Sequence, residues 1–274
     1  MRSAALTLLV LICGVANAAE KPAVWIASGP SGGTYRGIYA KNFEKELRGY
    51  NVFHRMTTGS GENLELLASG KANVAFAQAD IYAMLLRQDP ERLKELVMIG
   101  RIATECVYIA YRSGGVVRTL AQLGQSVGGR SAKIAVGPAP GGASGTWRLF
   151  TKLDPTLANA TVDHGGDTLA LNQLATGAYE AMIWVTDPTN FKHKLLRAVR
   201  VNDDLSLMAI DATMLDYALP SGIRIYERRT VDLEDNWRGD KLDTVCTGAL
   251  VFARKDSDPE LIKKLADIVS MYPR

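Results

Sequence analysis

The sequence predicts an α/β protein of two related lobes that face each other across a cleft. Three observations carry this. Short apolar runs alternate with amphipathic stretches of helical period, the pattern of largely parallel sheets flanked by helices. A glycine-rich segment occurs twice, as IASGPSGGTYR at Ile26–Arg36 and VGPAPGGASGTWR at Val136–Arg148. Each copy reads as strand, loop, and Gly-Thr-aromatic-Arg opening a helix. A second echo follows in the same order: Leu67-Ala68-Ser69-Gly70 leads through an apolar strand to Asp80, and Leu174-Ala175-Thr176-Gly177 leads at the same spacing to Asp187. Two echoes in one order mark two units on one plan, and the period is far too long for a solenoid.

The elements follow in turn. Met1-Arg2, the apolar run Ala4–Cys13 and Ala16-Asn17-Ala18 form a charged start, a core too short to span a bilayer, and a small-x-small cleavage pattern. A secretory leader over residues 1–18 is expected. Ile12 stands where a small residue is wanted, so Cys13 is a poor lipid-attachment site. Val24–Ser28 predicts a strand. Thr34–Arg48 predicts a helix with Tyr35, Ile38, Tyr39, Phe43 and Leu47 on one side. Asn51–Thr57 is a further strand, and Ser60 is placed to cap a helix through Ser69 that Gly70 ends in a left-handed conformation. Val74–Ala77 is the third strand, with Asp80 read as the cap of the helix after it. Asp187-Pro188 is read likewise as cap and first turn. Arg228–Asp243, charged and without pattern, is expected to be a surface loop. Asp258 and Pro259 open a last helix with Leu261, Ile262, Leu265, Ile268 and Val269 as its apolar face. The first lobe is expected over residues 19–112 and about 206–274, the second over about 113–205.

A net charge of +3, lowered by one if the leader is removed, and the lack of a polybasic run give no indication of nucleic acid or a membrane surface as partner. Beyond the leader two cysteines remain, Cys106 and Cys246, each in a strand-like run. A bridge between them and two buried thiols are both open readings. The three histidines are isolated, with no HExxH, and there is neither GxxxxGK[ST] nor a complete GxGxxG. Metal and nucleotide sites are therefore not expected, and no cofactor is.

Chemistry concentrates in the glycine-rich connections. At the carboxyl ends of parallel strands such loops leave amide N–H groups pointing outward, beside a helix N-terminus that favours negative charge. Gly29–Thr34, Gly141–Thr146 and Thr57-Thr58-Gly59-Ser60-Gly61 are three of them. Brought together they would line a cleft with N–H and O–H groups that a carboxylate satisfies. Gln78 and Trp184, at strand ends, are candidates to touch the ligand, and Glu62 and Asn63 could face the same space. Arg36 and Arg148 could pair with an anion or face solvent; Tyr35 and Trp147 could shape a pocket or pack as core. Gly29–Gly33 also fits G-x-S-x-G, which would make Ser31 a nucleophile with His54, His164 or His193 as base. It lies on the first strand, without an HGGG-type segment before it and with proline beside the serine, so binding is the expected role and catalysis is not.

IASGPSGGTY, followed by TTGSGENLELLASGKANVAFAQAD, resembles the N-terminal half of TAXI receptors, the periplasmic solute-binding proteins of one class of TRAP transporters. AVGPAPGGASGTW and AMIWVTDPT resemble their second lobe, so the likeness spans roughly residues 24–190. It implies a type II periplasmic-binding-protein fold, a glutamate-like or dicarboxylate ligand, and delivery to a sodium-coupled membrane permease. By position it implies binding residues at Gly33, Thr34, Tyr35, Thr58, Ser60, Asn63 and Gln78, and at Ser144, Gly145 and Thr146 in the second lobe. The match is weak beyond about residue 200, and Pro138 to Pro140 lengthen the second loop. A receptor of this shape can instead present its ligand to a membrane sensor kinase.

Overall fold

A computed structural model describes residues 20–210, 218, 224–234 and 239–272 of the chain; the expected leader lies outside the described residues. The first third holds β1 (Ala23–Ala27), a π-helical turn (Tyr35–Tyr39) running into α1 (Ala40–Glu46), β2 (Asn51–Arg55), α2 (Ser60–Ala68), β3 (Val74–Gln78), α3 (Ala79–Gln88) and α4 (Pro90–Leu93). Next come β4 (Leu96–Arg112), α5 (Leu120–Leu123), a small hairpin of β5 (Ser126–Val127) and β6 (Arg130–Ser131), and β7 (Lys133–Ala135). These lead to α6 (Gly142–Leu153), β8 (Thr161–Asp163), α7 (Asp167–Ala175), β9 (Ala181–Thr186) and α8 (Lys194–Arg200). The chain finishes with β10 (Leu205–Leu207), β11 (Glu227–Asp232), β12 (Lys241–Arg254) and α9 (Pro259–Ser270).

Local sequence accounts for most of these elements. Every residue of β3 is buried, as an inner strand covered on both faces requires. Tyr35, Tyr39, Phe43 and Leu47 are all buried, but Ile38, expected beside them, is 47% exposed. The wide π-helical start changes the angle per residue, so a position chosen by α-helical spacing turns outward. Gly70 ends α2 at φ 71°, where a side chain would be strained. Asp258 accepts a hydrogen bond from the Glu260 amide with Pro259 in the first turn, and Leu261, Leu265 and Ile268 are buried.

The main sheet runs β2-β1-β3-β12-β4-β9-β7-β8. β2, β1 and β3 are parallel, as are β9, β7 and β8, while β12 and β4 join the two sets by antiparallel pairings. Two sets of clusters result. Ile26, Phe43, Phe76, Val251 and Leu265 share one core, with Leu64, Leu67, Ala77 and Phe252 on the other face of the first sheet half. Val107, Ile134, Trp147, Phe150 and Ile183 pack in the second half, with Tyr108, Met182, Trp184 and Leu196 on its other face. The long strands β4 and β12 contribute residues to both halves. Where they cross, Cys106 and Cys246 lie directly opposite one another and form a disulfide, their Cα atoms 3.9 Å apart.

Two expectations differ from this structure. β10 pairs with β4 beside Tyr111, and Val231, Leu233 and Leu242 pack with the second half. The described strands on either side of the return expected near residue 206, β10 and β11, thus both pack with the second half. Residues 228–243 are not simply a loop either: β11 pairs with β12 from Glu227–Cys246 to Asp232–Lys241, residues 235–238 lying outside the described residues. Val231 and Leu242 point inward at 6% and 5% exposure, while Arg228, Arg229, Asp232, Lys241 and Asp243 face water. That is how an edge strand stays soluble, and it hides the alternation. Among the described residues, no helix is long and apolar enough to cross a membrane.

Candidate functional site

The three glycine-rich connections converge between the two halves on a cleft of about 190 Å³. The first half contributes Pro30, Gly33, Thr34 and Tyr35 from the β1 loop, Thr58, Gly59 and Ser60 at the start of α2, and Gln78 at the end of β3. The second half contributes Gly137, Pro138 and Gly141–Ala143 before and within the start of α6, then Trp184, Val185, Thr186 and His193. Glu105, on β4 between the halves, completes it. The volume lies below the 300 Å³ or so at which drug-sized pockets begin, so the space suits a small ligand.

The first loop is held in place by its own hydrogen bonds. Thr57 Oγ1 accepts from the amides of Gly29 and Gly59 and donates to Asn63 Oδ1. Asn63 Nδ2 in turn donates to the Phe76 carbonyl at 2.8 Å. Asn63 is fully buried by this role and lies behind the cleft wall rather than in it. Glu62 accepts from both the amide and the hydroxyl of Thr58, each at 2.8 Å, fixing the loop from the opposite side. Ser60 does not cap its helix: α2 begins at Ser60 itself after Gly59. Its hydroxyl accepts from the Gln78 amide at 3.1 Å and meets Gln78 Oε1 at 3.3 Å.

The halves touch along these loops. The Gly61 amide donates to the Pro140 carbonyl across the gap at 3.2 Å. A Cβ on Gly59, whose φ is 136°, would lie 3.1 Å from the Gly142 amide nitrogen. Only glycine permits that approach.

Gly145 and Thr146 do not reach the cleft. α6 has already begun at Gly142, so the Gly-Thr pair lies one turn inside the helix and packs against α3. A Cβ on Gly145 would lie 2.3 Å from the Ile81 side chain. Thr146 donates to Asp80 Oδ2 at 2.7 Å and accepts from Gln78 Nε2 at 3.4 Å. Ser144 lines a separate surface hollow with Trp147, Arg148 and His164.

The two aspartates read as helix caps do other work. α3 starts at Ala79 after Gln78, so Asp80 lies in the first turn, fully buried. It accepts from Thr146, from Tyr226 at 2.8 Å and from the Ile81 amide. Burial raises its pKa, and those three donors oppose the rise. No helix follows Asp187 directly: it closes a turn by accepting from the Thr189 amide and hydroxyl, and its other oxygen accepts from Tyr39 across the gap at 2.9 Å.

Glu105 is the residue that sequence reasoning missed. It is 5% exposed, accepts a 2.5 Å hydrogen bond from the Tyr35 hydroxyl, and is pushed up to about 8 by burial, with the Asp80 and Asp187 charges adding to the rise. The available signal was an acid inside the apolar run from Leu96 to Arg112. Trp184 Nε1 and the Thr186 hydroxyl on the same cleft wall, and the hydroxyl of Thr247 paired opposite Glu105, are buried without a hydrogen-bond partner among the described residues. Trp184 stacks between Tyr108 and His193 at 5.6 and 6.4 Å, so its edge rather than its face is left to make contacts. Ser31, by contrast, is exposed, while His54 bonds Glu44 and His164 bonds the Gly137 carbonyl.

No family model and no curated protein matches the sequence. Solved structures do match. An ancestral arginine-binding protein bound to arginine gives a TM-score of 0.53 at 14% identity, over 91% of both chains. Lactococcal OpuAC in its closed form with glycine betaine gives 0.54 at 12% identity, over 90% of this chain and 84% of that one. The substrate-binding protein of an amino acid ABC transporter gives 0.53 at 10% identity, over 90% and 92%. At these identities the likeness is one of fold. The chain has the type II periplasmic-binding-protein fold, two α/β lobes with a cleft between them.

Proposed function

We propose that this chain is an exported solute-binding protein that captures a small carboxylate or amino-acid-like ligand between its lobes and delivers it to a membrane permease of the TRAP type. One observation carries the reading: glycine-rich helix starts from both lobes, α2 and α6, meet at a single cleft. Their amides supply N–H donors and a favourable field for a carboxylate, and Gly33, Thr34, Thr58, Ser60 and Gln78 stand beside them. β4 and β12 are the passages between the lobes in this reading, and cleavage after Ala18 releases the mature chain to the periplasm. Ligand that bridges both lobes favours the closed form through contacts the open form lacks.

The test is a thermal-shift panel of amino acids and carboxylic acids on the mature protein. A true ligand raises the melting temperature with concentration by mass action, and Thr58→Ala with Ser60→Ala weakens that response. A flat response to every small anion and zwitterion would overturn the reading.

A further inference from the structure

We infer that Glu105 receives the protonated amine of a zwitterionic ligand, so that the cleft selects amino-acid-like molecules over dicarboxylates and hydroxy acids. The inference rests on the reading of the cleft as a ligand site and narrows its occupant.

Glu105 and Asp80 are both buried carboxyls, yet their surroundings differ. Asp80 accepts from three donors. Glu105 accepts from the Tyr35 hydroxyl and, among the described residues, forms no ion pair. A carboxylate binds several donors when ionised, so most of its capacity is unused. Among the described residues no lysine or arginine lines the cleft, and the other charged groups acting on Glu105 are Asp80 and Asp187, both acidic. His193 is the remaining titratable residue of the lining besides Tyr35. An acid kept out of water without a cation is held in its neutral form or awaits one.

The rest of the wall has the opposite character. The starts of α2 and α6, the Trp184 N–H and the Thr186 hydroxyl offer donors. One ligand satisfies both sets at once: an ammonium at Glu105 and a carboxylate at the donors. A dicarboxylate would place its second charge beside an acid, with no lysine or arginine among the described lining residues to offset it.

Matched probes test this, each amino acid of the panel paired with its 2-hydroxy-acid counterpart and compared with succinate. Calorimetry of the wild-type protein should show an amino acid binding and its hydroxy-acid partner binding at least tenfold more weakly. At neutral pH close to one proton should be released per ligand, because the amine displaces the proton that Glu105 holds when its pKa is about 8. Glu105→Gln, nearly isosteric and uncharged, should lose about 10- to 100-fold in amino-acid affinity while gaining little for hydroxy acids. The proton measurement needs no variant, so it stands even if that one misfolds. Equal binding of the hydroxy acid, or amino-acid binding without proton release, would show Glu105 as a neutral donor and overturn the inference while leaving the receptor reading intact. No binding of any probe would overturn both.

Discussion

The two Gly-Thr-aromatic-Arg segments look interchangeable in sequence, and each delivers a hydroxyl to a buried carboxyl, yet they serve different ends. In the first, Gly33 and Thr34 face the cleft and Tyr35 bonds Glu105. In the second, the helix starts earlier, so Gly145 and Thr146 are turned into the α3–α6 contact and Thr146 bonds Asp80. The cleft duty passes to Gly141–Ala143. A shift of one helical turn is enough to convert a binding motif into a packing motif, because 3.6 residues separate a face from its repetition. Asp80 thus reads as a saturated latch between the lobes, and Glu105 as an open valence.

That contrast can be broken or sharpened by mutation. Asp80→Ala removes the acceptor of two buried hydroxyls and one amide and should cost about 3 kcal/mol in a urea titration; a loss under half of that would mean the latch is not structural. The pH dependence of Glu105 comes next. Its folded pKa of about 8 exceeds the ordinary 4.5, so the folded state holds the proton more tightly. This contribution is fully present below pH 4.5 and is lost as pH rises through about 8. Stability of the ligand-free protein should fall across that window by up to about 1.4 kcal/mol per pH unit. Asp80, also raised by burial, adds in the same sense. Glu105→Gln should flatten the slope, and an unchanged slope would locate it elsewhere. Thr146→Val should cost about 1 kcal/mol through its bonds to Asp80 and Gln78. Thr34→Val, its counterpart by sequence, should stay within about 0.5 kcal/mol of wild type. Equal effects from the two threonines would erase the distinction between the loops.

Much of this was legible beforehand. The strand–loop–helix echoes, Gly70, the α9 cap and the glycine-rich loops ending near Gln78 and Trp184 are written in local pattern, whereas Tyr35 entered the site only through the family resemblance. What escaped depended on tertiary placement. Asn63 looks like a cleft residue until the Phe76 carbonyl is seen behind it. Ser60 and Asp80 carry cap-forming side chains, but other partners engage them first. Glu105 has no motif, since its meaning comes from strands distant in sequence. The hairpin of β11 and β12 was hidden because an edge strand carries charge on the side that periodicity would need to be polar or apolar in turn.

The position of β12 has a consequence for how the molecule comes into being. It lies between β3 and β4 in the sheet order although it is the last strand of the chain, so the first lobe lacks its connecting strand until residues 241–254 arrive. Its pairings span most of the sequence, and loop closure of that length must precede the contacts that reward it. Folding should accordingly be slow and should complete only with the whole chain present, the edges of β3 and β4 staying open until then. The strand that ties the two lobes together is also the one whose arrival decides when either lobe can close its sheet.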